Sequence, residues 1–277
     1  MSKSVLVDIT RCIGCRSCMV SCKSWNDLPA EPSEFSNNWD SPGKLSADTW
    51  TNVSSYVLEE GDQLKWRFVK RQCMHCNEPA CESACFTHSF VKTKEGAVIY
   101  KPTELNQDYC VGCRYCMIAC PFDVPGFQWD KALPYVQKCR FCYDRTKEEG
   151  LEPACVTACL TGALTYGERD EMLALAQDRM SKDPRYIKHI YGEKEYGGTS
   201  WLYISDVPFD QIGFKTEVFN RPVTQRSIPS LTWDVLKWTP YIFVGWGALL
   251  TAMRAYTKRR AEVHNEEDLY GPVDPKE

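Results

Sequence analysis

Short apolar runs separated by turn-forming residues predict a chain of short strands. Residues 5–9 are apolar except for Asp8 and predict a strand near the start of the chain. Residues 56–59 and 64–69 flank a Glu-Gly-Asp-Gln turn and predict a hairpin. Apolar and charged residues recur at helical spacing over 168–180, which predicts a helix. Further predicted strands are 97–100, 163–166 and 201–204.

One long segment has neither the strand period nor the helix period. Residues 26–55 are a predicted insertion in which Pro, Ser, Asn and Asp are frequent, and residues 192–198 are a predicted loop. Insertions of this composition lie on the surface, because their polar backbone groups need water or a partner. We therefore expect the insertion to contact a partner protein.

The C-terminal part has a different pattern, because residues 238–253 carry no charge. These about 16 residues would form roughly 24 Å of helix, short of the ~30 Å hydrocarbon core unless Lys237 and Arg254 extend towards the headgroups. Aromatic residues at both borders resemble an interfacial belt. The pattern predicts a single transmembrane helix over 237–256 and a polar tail over 257–277. A buried apolar helix and a partner-binding helix are the alternatives.

Basic residues are more frequent after this helix than before it. The positive-inside rule then predicts a cytoplasmic C-terminus, with residues 1 to about 230 on the outer, periplasmic face of the cell membrane. A long folded domain can defeat that rule, so a domain facing the cytoplasm is the alternative. The residues before Cys12 leave no room for an export signal. We therefore expect the folded domain to be exported on a partner that carries a twin-arginine signal.

Composition adds one unusual feature, which is 16 cysteines in 277 residues. A chain of this length can bury a core without disulfide staples, so metal binding is favoured over disulfides. The 33 basic and 37 acidic side chains give a net charge of −4 with no long basic run, which argues against nucleic acid as a partner.

Spacing sorts the cysteines into four groups of four. Groups one and three have the C-x2-C-x2-C-x3-C run of bacterial ferredoxins, and Pro121 follows group three. Such a loop can hold three corners of one [4Fe-4S] cluster, while the fourth cysteine serves the neighbouring cluster. The groups in chain order are Cys12, Cys15, Cys18, Cys22; Cys73, Cys76, Cys81, Cys85; Cys110, Cys113, Cys116, Cys120; and Cys139, Cys142, Cys155, Cys159.

The groups also indicate an internal duplication. Residues 12–22 match residues 110–120 almost position for position, and Glu-Pro-Ala-Cys at 78–81 recurs at 152–155. Groups two and three can exchange fourth ligands as one half of the molecule, with groups one and four as the other half. Pairing group one with two and group three with four is also compatible with the spacing. The nested pairing gives set 1 (Cys12, Cys15, Cys18, Cys159), set 2 (Cys73, Cys76, Cys81, Cys120), set 3 (Cys110, Cys113, Cys116, Cys85) and set 4 (Cys139, Cys142, Cys155, Cys22).

Other readings of the cysteines fit the spacing less well. Four-thiolate zinc sites do not explain the compact runs of groups one and three, and no C-x2-C is followed by the histidine of a haem attachment site. His75 and His88 lie beside group two and are candidates for tuning a cluster potential. Cations near a negatively charged cluster also tune its reduction potential. The alternative is that these cations are only solvated surface residues. The candidate cations are Arg16, Arg114, Arg140 and Arg145.

The motifs resemble those of the iron–sulfur β subunits of membrane-bound molybdenum or tungsten oxidoreductases. The run from Cys12 to Asp27, the Gly-Gly-Thr at 197–199 and the C-terminal apolar segment are most similar to the formate dehydrogenase β subunit. The resemblance implies the nested pairing, a catalytic subunit with a molybdopterin and a membrane cytochrome b that reduces quinone. Some members replace one cysteine of group three by tryptophan and hold a three-iron cluster. All four are present here, so four [4Fe-4S] clusters are expected.

The resulting interpretation is an α+β protein with two ferredoxin-like dicluster subdomains related by duplication and a C-terminal transmembrane helix. The predicted domains are 1–70 with 129–200, a nested subdomain over 71–128, and a linker to the membrane over 201–236. The predicted function is non-catalytic electron transfer between a catalytic subunit, with formate as the leading substrate, and a membrane acceptor. Hydrogenases and other respiratory complexes use the same module, and a zinc-stabilised scaffold and a free polyferredoxin are further alternatives.

Overall fold

A computed structural model describes residues 2–32, 40, 42–61, 63–100, 110–218 and 221–263. The chain divides into two compact units, Met1–Pro229 and Ser230–Glu277. The first unit contains all sixteen cysteines and is a mixture of short strands and short helices, which confirms the predicted combination of α and β elements.

A three-stranded sheet lies at the centre of the first unit. Its middle strand is β1 (Lys3–Asp8), which pairs antiparallel with β8 (Leu164–Glu168) and parallel with β9 (Trp201–Ile204). Val5 lies opposite Tyr166 on one side and Trp201 on the other. All three predicted strands are confirmed. The assignment of residues 201–204 to a linker was wrong, because this buried apolar run completes the sheet.

The described residues also form four two-stranded ribbons. In the longest, β2 (Thr51–Glu60) pairs with β3 (Gln63–Gln72) from Thr51↔Gln72 to Glu60↔Gln63, which confirms the predicted hairpin. Its first residues belong to the predicted insertion 26–55, which therefore ends earlier than expected; residues 33–39 and 41 lie outside the described part. The other ribbons pair β4 (Phe90–Lys92) with β5 (Val98–Tyr100), β6 (Gly126–Phe127) with β7 (Val136–Gln137), and β10 (Glu217–Val218) with β11 (Arg221–Pro222).

The helices of the first unit are short, except for two. The helix α6 covers the predicted helical segment and begins with a capping box between Glu168 and Glu171. Turns of 3-10 helix lie at Ile9–Arg11 and Glu195–Gly197. The helices are α1 (Ser17–Trp25), α2 (Ala80–Ser83), α3 (Tyr115–Ala119), α4 (Tyr143–Glu148), α5 (Ala154–Thr157) and α6 (Arg169–Lys182).

Alternation along β1 divides the apolar core into two faces. Val5 and Val7 point to the face that also contains Phe141, Trp201 and Tyr203, whereas Leu6 points to the opposite face. On that opposite face Leu6 packs with residues of α6 and β9. Cys18, Cys155 and Cys159 belong to the first face, so the sheet itself is one wall of the region in which these cysteines lie.

The C-terminal unit is helical where the structure describes it. The helix α7 (Ile228–Leu236) is followed by α8 (Thr239–Val263), so the predicted helix exists. Among the described residues, however, no helix combines the length and the apolarity that crossing a membrane requires, and the predicted transmembrane span over 237–256 is corrected accordingly. The physical reason is that the uncharged stretch is short: α8 continues through Arg254, Lys258 and Arg260. Residues 264–277 of the predicted tail lie outside the described part.

Candidate metal centres

The loops of cysteine groups one and three have the same backbone conformation. Gly14 and Gly112 both have a φ of +68°, and the arginine two residues later, Arg16 or Arg114, has a φ of 61° or 62°. These left-handed residues fold each loop back on itself immediately before a helix, α1 or α3. Each loop therefore turns tightly around Cys15 or Cys113 instead of running as an extended chain.

Groups two and four also share a local conformation. Each C-x2-C pair bends through a left-handed residue, His75 or Phe141, with a φ of 50° or 62°. Pro79 and Pro153 then cap the one-turn helices α2 and α5, which carry Cys81 and Cys155. The sequence similarity between these groups thus extends to their backbone.

Three cavities are each lined by four cysteines. Each cavity combines three cysteines of one group with one cysteine of another group. Among the described residues, no three Cys, His, Asp or Glu side chains converge on the position of a single metal ion. The lining cysteines are Cys73, Cys76, Cys81 and Cys120 in the first cavity, Cys22, Cys139, Cys142 and Cys155 in the second, and Cys85, Cys110, Cys113 and Cys116 in the third. These are the members of sets 2, 4 and 3.

The members of set 1 are close to one another as well. Burial raises the pKa of the Cys12 thiol; the Gly14 N–H opposes this shift, and repulsion from Cys159 and Cys15 adds to it. Burial also raises the pKa of Cys18 to about 12, with Cys12 and Cys15 among the charges that contribute. A buried thiolate without compensating charge is therefore unfavourable, and binding a metal is the usual way to stabilise one.

Interactions between sets define a linear order. Cys18 of set 1 is repelled by Cys155 of set 4, and burial together with Cys22, Cys142 and Cys73 raises the pKa of Cys139, which links set 4 to set 2. Burial likewise raises the pKa of Cys81 to about 12, although the charge of Lys138 opposes this shift. Repulsion from Cys116 of set 3 adds to the shift, so Cys116 lies close to Cys81 and links set 2 to set 3. Helix α1 packs on α5, and α2 packs on α3. The order along the protein is set 1, set 4, set 2, set 3.

The two end sets are the accessible ones. Cys15 of set 1 and Cys113 of set 3 are exposed, and no other cysteine is. Apolar side chains near them in the sequence are exposed too, including Ile13, two residues before Cys15, and Ile118 in α3, which is 82% exposed. The inner sets 4 and 2 are screened from solvent by the rest of the unit.

Two buried lysines accompany the inner sets, and we did not predict either from the sequence. Lys70 lines the cavity of set 4, where its Nζ donates to Thr51 Oγ1 at 2.7 Å and Gln72 Oε1 at 2.8 Å and lies 4.3 Å from the ring centroid of Trp201. Burial alone lowers the pKa of Lys70, but attraction to Cys155 and Cys18 raises it above its ordinary value.

Lys138 has the corresponding position at set 2. It lines the cavity of that set and donates from Nζ to the carbonyl oxygens of Val98 and Cys139. The signal in the sequence was weak: Lys70 lies in a strand that alternates basic and apolar residues, and Lys138 directly precedes Cys139. Lysines in both contexts are usually exposed.

The four predicted tuning arginines divide into two pairs. Arg114 lines the cavity of set 3 and lies over the ring of Trp129, and Arg140 lines the cavity of set 4 while pairing with Asp144 at 3.3 Å. Arg16 instead pairs with Asp40 at 3.6 Å. Arg145 donates to the Glu152 carbonyl oxygen at 2.7 Å and lies 4.4 Å from the Trp25 ring centroid.

Of the two candidate histidines, His75 is fully buried. Its Nδ1 accepts a hydrogen bond of 2.8 Å from the Val98 N–H. Burial, together with Lys138, Lys92 and Lys70, lowers the pKa of His75 well below its ordinary value, so the ring is neutral with its proton on Nε2. His88 has a left-handed backbone conformation with a φ of 53° after group two.

Residues 64–169 match the family described as 4Fe-4S dicluster domain. This segment contains cysteine groups two, three and four, and cysteine sulfur is the ligand of [4Fe-4S] clusters. The donors that line the cavities therefore fit the cofactor. The chain is a ferredoxin-like protein that binds [4Fe-4S] clusters.

Several curated proteins are similar over most of the chain. A protein of Nitratidesulfovibrio vulgaris (strain Hildenborough) is 43% identical over 270 residues, which are 96% of this chain and 70% of the relative. The "Formate dehydrogenase, nitrate-inducible, iron-sulfur subunit" of Escherichia coli K12 is 36% identical over 202 residues, with coverages of 72% and 66%. The "Hydrogenase-2 operon protein HybA" of E. coli O157:H7 is 31% identical over 242 residues, with coverages of 76% and 72%. The chain spans about two thirds of the length of these relatives.

These similarities identify the family. The chain belongs to the iron–sulfur subunits of the formate dehydrogenase type, which also include a hydrogenase-associated relative.

Proposed function

We propose that this chain is the electron-transfer subunit of a respiratory oxidoreductase and that it holds four [4Fe-4S] clusters, one in each cysteine set. When bound, the clusters would supply one-electron redox chemistry. The observation that carries the proposal is the grouping of the cysteines, because the four members of sets 2, 3 and 4 each line one cavity. The electrostatic contacts of Cys12 with Cys159 and Cys15 support the same arrangement for set 1.

The order of the sets supports a path for electrons along the first unit. The end sets 1 and 3 have the exposed cysteines, Cys15 and Cys113, which partner subunits can approach. The inner sets are enclosed by protein, which excludes water from them. We propose that one partner docks at set 1 and another at set 3, so that electrons cross the first unit from end to end.

We propose that one partner is a catalytic subunit with a molybdenum or tungsten pterin and that the other is a membrane cytochrome b or quinone-reactive subunit. The relatives named as formate dehydrogenase subunits support formate as the substrate of the complex. The relative HybA supports a hydrogenase complex as a second candidate. Purifying the chain from detergent-solubilised membranes and identifying the catalytic subunit that accompanies it would decide between the two.

Iron and sulfide analysis tests the cofactor. Anaerobically purified protein is expected to contain about 16 iron and about 16 acid-labile sulfide per chain, from four clusters of four each, with broad visible absorbance. Stoichiometric zinc without sulfide would instead support the zinc-stabilised scaffold. About 8 iron would mean that only one dicluster half is occupied.

The origin of the two halves and the location of the first unit are two further proposals. We propose that the two halves arose by duplication, which is supported by the matching backbone at Gly14 and Gly112 and at Pro79 and Pro153. We also propose that the first unit works on the outer face of the cell membrane, held there by its partners. Protease added to intact spheroplasts is expected to digest it, and full protection with the partner present would contradict this location.

A further inference from the structure

The inner cysteine sets each have a buried lysine in the wall of their cavity. Lys70, which is 2% exposed, lines the cavity of set 4, and Lys138, which is 3% exposed, lines the cavity of set 2. At the end of the series, the basic residue in the wall of the set 3 cavity is Arg114, which is exposed. The buried lysines therefore lie beside the two inner sets, whereas the cation beside the end set 3 is exposed to solvent.

No carboxylate is among the hydrogen-bond partners of either lysine in the described residues. Lys70 donates to the Thr51 hydroxyl and the Gln72 amide oxygen, and Lys138 donates to two backbone carbonyl oxygens and also interacts with the Cys73 sulfur. In the part of the chain that the structure describes, no Asp or Glu forms an ion pair with either of them. A buried ammonium group is unfavourable unless a negative charge compensates it. The sulfur atoms that line the same cavities are in a position to provide that charge once they are deprotonated.

We propose that Lys70 and Lys138 act as fixed positive charges that raise the reduction potentials of the two inner clusters. The inference rests on the proposed function, because it requires clusters in sets 4 and 2. A cluster that takes up one electron becomes more negative, so a nearby cation stabilises the reduced form more than the oxidised form. Burial strengthens this effect, since little water is present to screen the interaction.

The two lysines also offset part of the cost of adding an electron to an enclosed cluster. Desolvation by itself disfavours added negative charge, and it acts most strongly on the inner sets. One ammonium group per inner cavity opposes that penalty. Lys70 additionally interacts with Cys18 of set 1, so its removal is expected to affect set 4 most and set 1 to a smaller extent.

Redox titration followed by electron paramagnetic resonance tests the proposal on the full chain, purified anaerobically with its partner subunits. In Lys70→Met, one midpoint potential is expected to become more negative by at least about 59 mV, a tenfold change in the ratio of reduced to oxidised cluster. Lys138→Met is expected to shift a different midpoint in the same direction. Lys182→Met is the control, because Lys182 is an exposed lysine of α6 paired with Asp178. It is expected to leave all midpoints unchanged.

Unchanged midpoints in Lys70→Met and Lys138→Met, with full iron and sulfide, would overturn this inference and leave the proposed function intact. Absence of sulfide from the unaltered protein would overturn the proposed function instead. If a methionine variant loses iron, the charge-preserving variants Lys70→Arg and Lys138→Arg distinguish the need for a positive charge from a role in packing. If the arginine variants keep their iron and near-original midpoints while the methionine variants lose iron, the result supports the need for a cation. Equal loss of iron in both kinds of variant means that the position is required for packing, which overturns the inference.

Discussion

Replacing Gly14 by alanine is expected to weaken set 1 more than the equivalent change at Gly112 weakens set 3. Both glycines occupy the same place in a cysteine loop, and both have a φ of +68°. An alanine in this left-handed conformation is strained by ~1–2 kcal/mol at either position. The two substitutions therefore share one penalty, and any difference between them has another cause.

That cause is the neighbouring aromatic ring. A Cβ at Gly14 would lie 2.5 Å from Cδ1 and 2.7 Å from Cγ of Phe68, whereas a Cβ at Gly112 would lie 3.5 Å from Cζ of Phe127. Turning the Phe68 ring does not move its Cγ, and the residue is held in β3 opposite Ser55. Overpacking of this kind adds ~1–3 kcal/mol. The expected cost is ~2–5 kcal/mol for Gly14→Ala and ~1–2 kcal/mol for Gly112→Ala.

Anaerobic urea titration of the two variants measures the difference. Loss of visible absorbance reports cluster retention, and far-ultraviolet circular dichroism reports the fold. The midpoint of Gly14→Ala is expected to be the lower of the two, and its iron content is expected to fall by about 4 per chain if set 1 is lost. Equal midpoints, or a lower midpoint for Gly112→Ala, would refute the reasoning from the Phe68 contact.

Two further predictions concern the pairing of the cysteines and a surface ion pair. Cys159→Ser is expected to alter the resonance of the cluster in set 1 and to spare that of set 2, and the matched variant Cys120→Ser is expected to do the reverse; the opposite pattern would exclude the nested pairing. The 2.8 Å hydrogen bond that His189 Nε2 donates to Glu195 Oε1 raises the pKa of His189, so this pair stabilises the protein below about pH 6.5 and less as the pH rises through the raised pKa. His189→Gln is expected to lower the free energy of unfolding by ~0.5–1 kcal/mol at pH 6 and by less at pH 9, because the histidine is half exposed. An equal loss at both pH values in urea titrations would count against the ion pair.

The strands and the cysteine sets could be predicted because their signals are local. Residues 5–9, 163–166 and 201–204 are apolar runs of strand length, and all three contribute strands to one sheet, of which β1 and β9 are largely buried. The interval between cysteines was enough to propose which loops hold three ligands. The alternative pairing of the groups could not be removed by spacing, because it depends on contacts between residues far apart in the chain.

What the sequence did not indicate depends on such distant contacts. Lys70 and Lys138 look like ordinary basic residues until the fold encloses them beside cysteines from other segments. The parallel pairing of β1 with β9 joins residues about 200 positions apart, and no local pattern specifies it. The transmembrane prediction failed for a different, local reason, because the uncharged stretch is short and α8 continues into charged residues from Arg254 onwards.

The central position of β1 has a consequence for how the protein is made. This strand is synthesised before all the cysteines, whereas both of its partners, β8 and β9, are synthesised after the last cysteine, Cys159. By residue 120 the chain already contains every cysteine of sets 2 and 3, whereas sets 1 and 4 wait for Cys155 and Cys159. At ~5–20 residues per second, the cysteines of the nested half are all synthesised several seconds before residue 204, the last residue of β9. We therefore expect the nested half to acquire its iron first during biosynthesis, with β1 lacking β8 until residue 168 emerges and lacking β9 until residue 204 emerges.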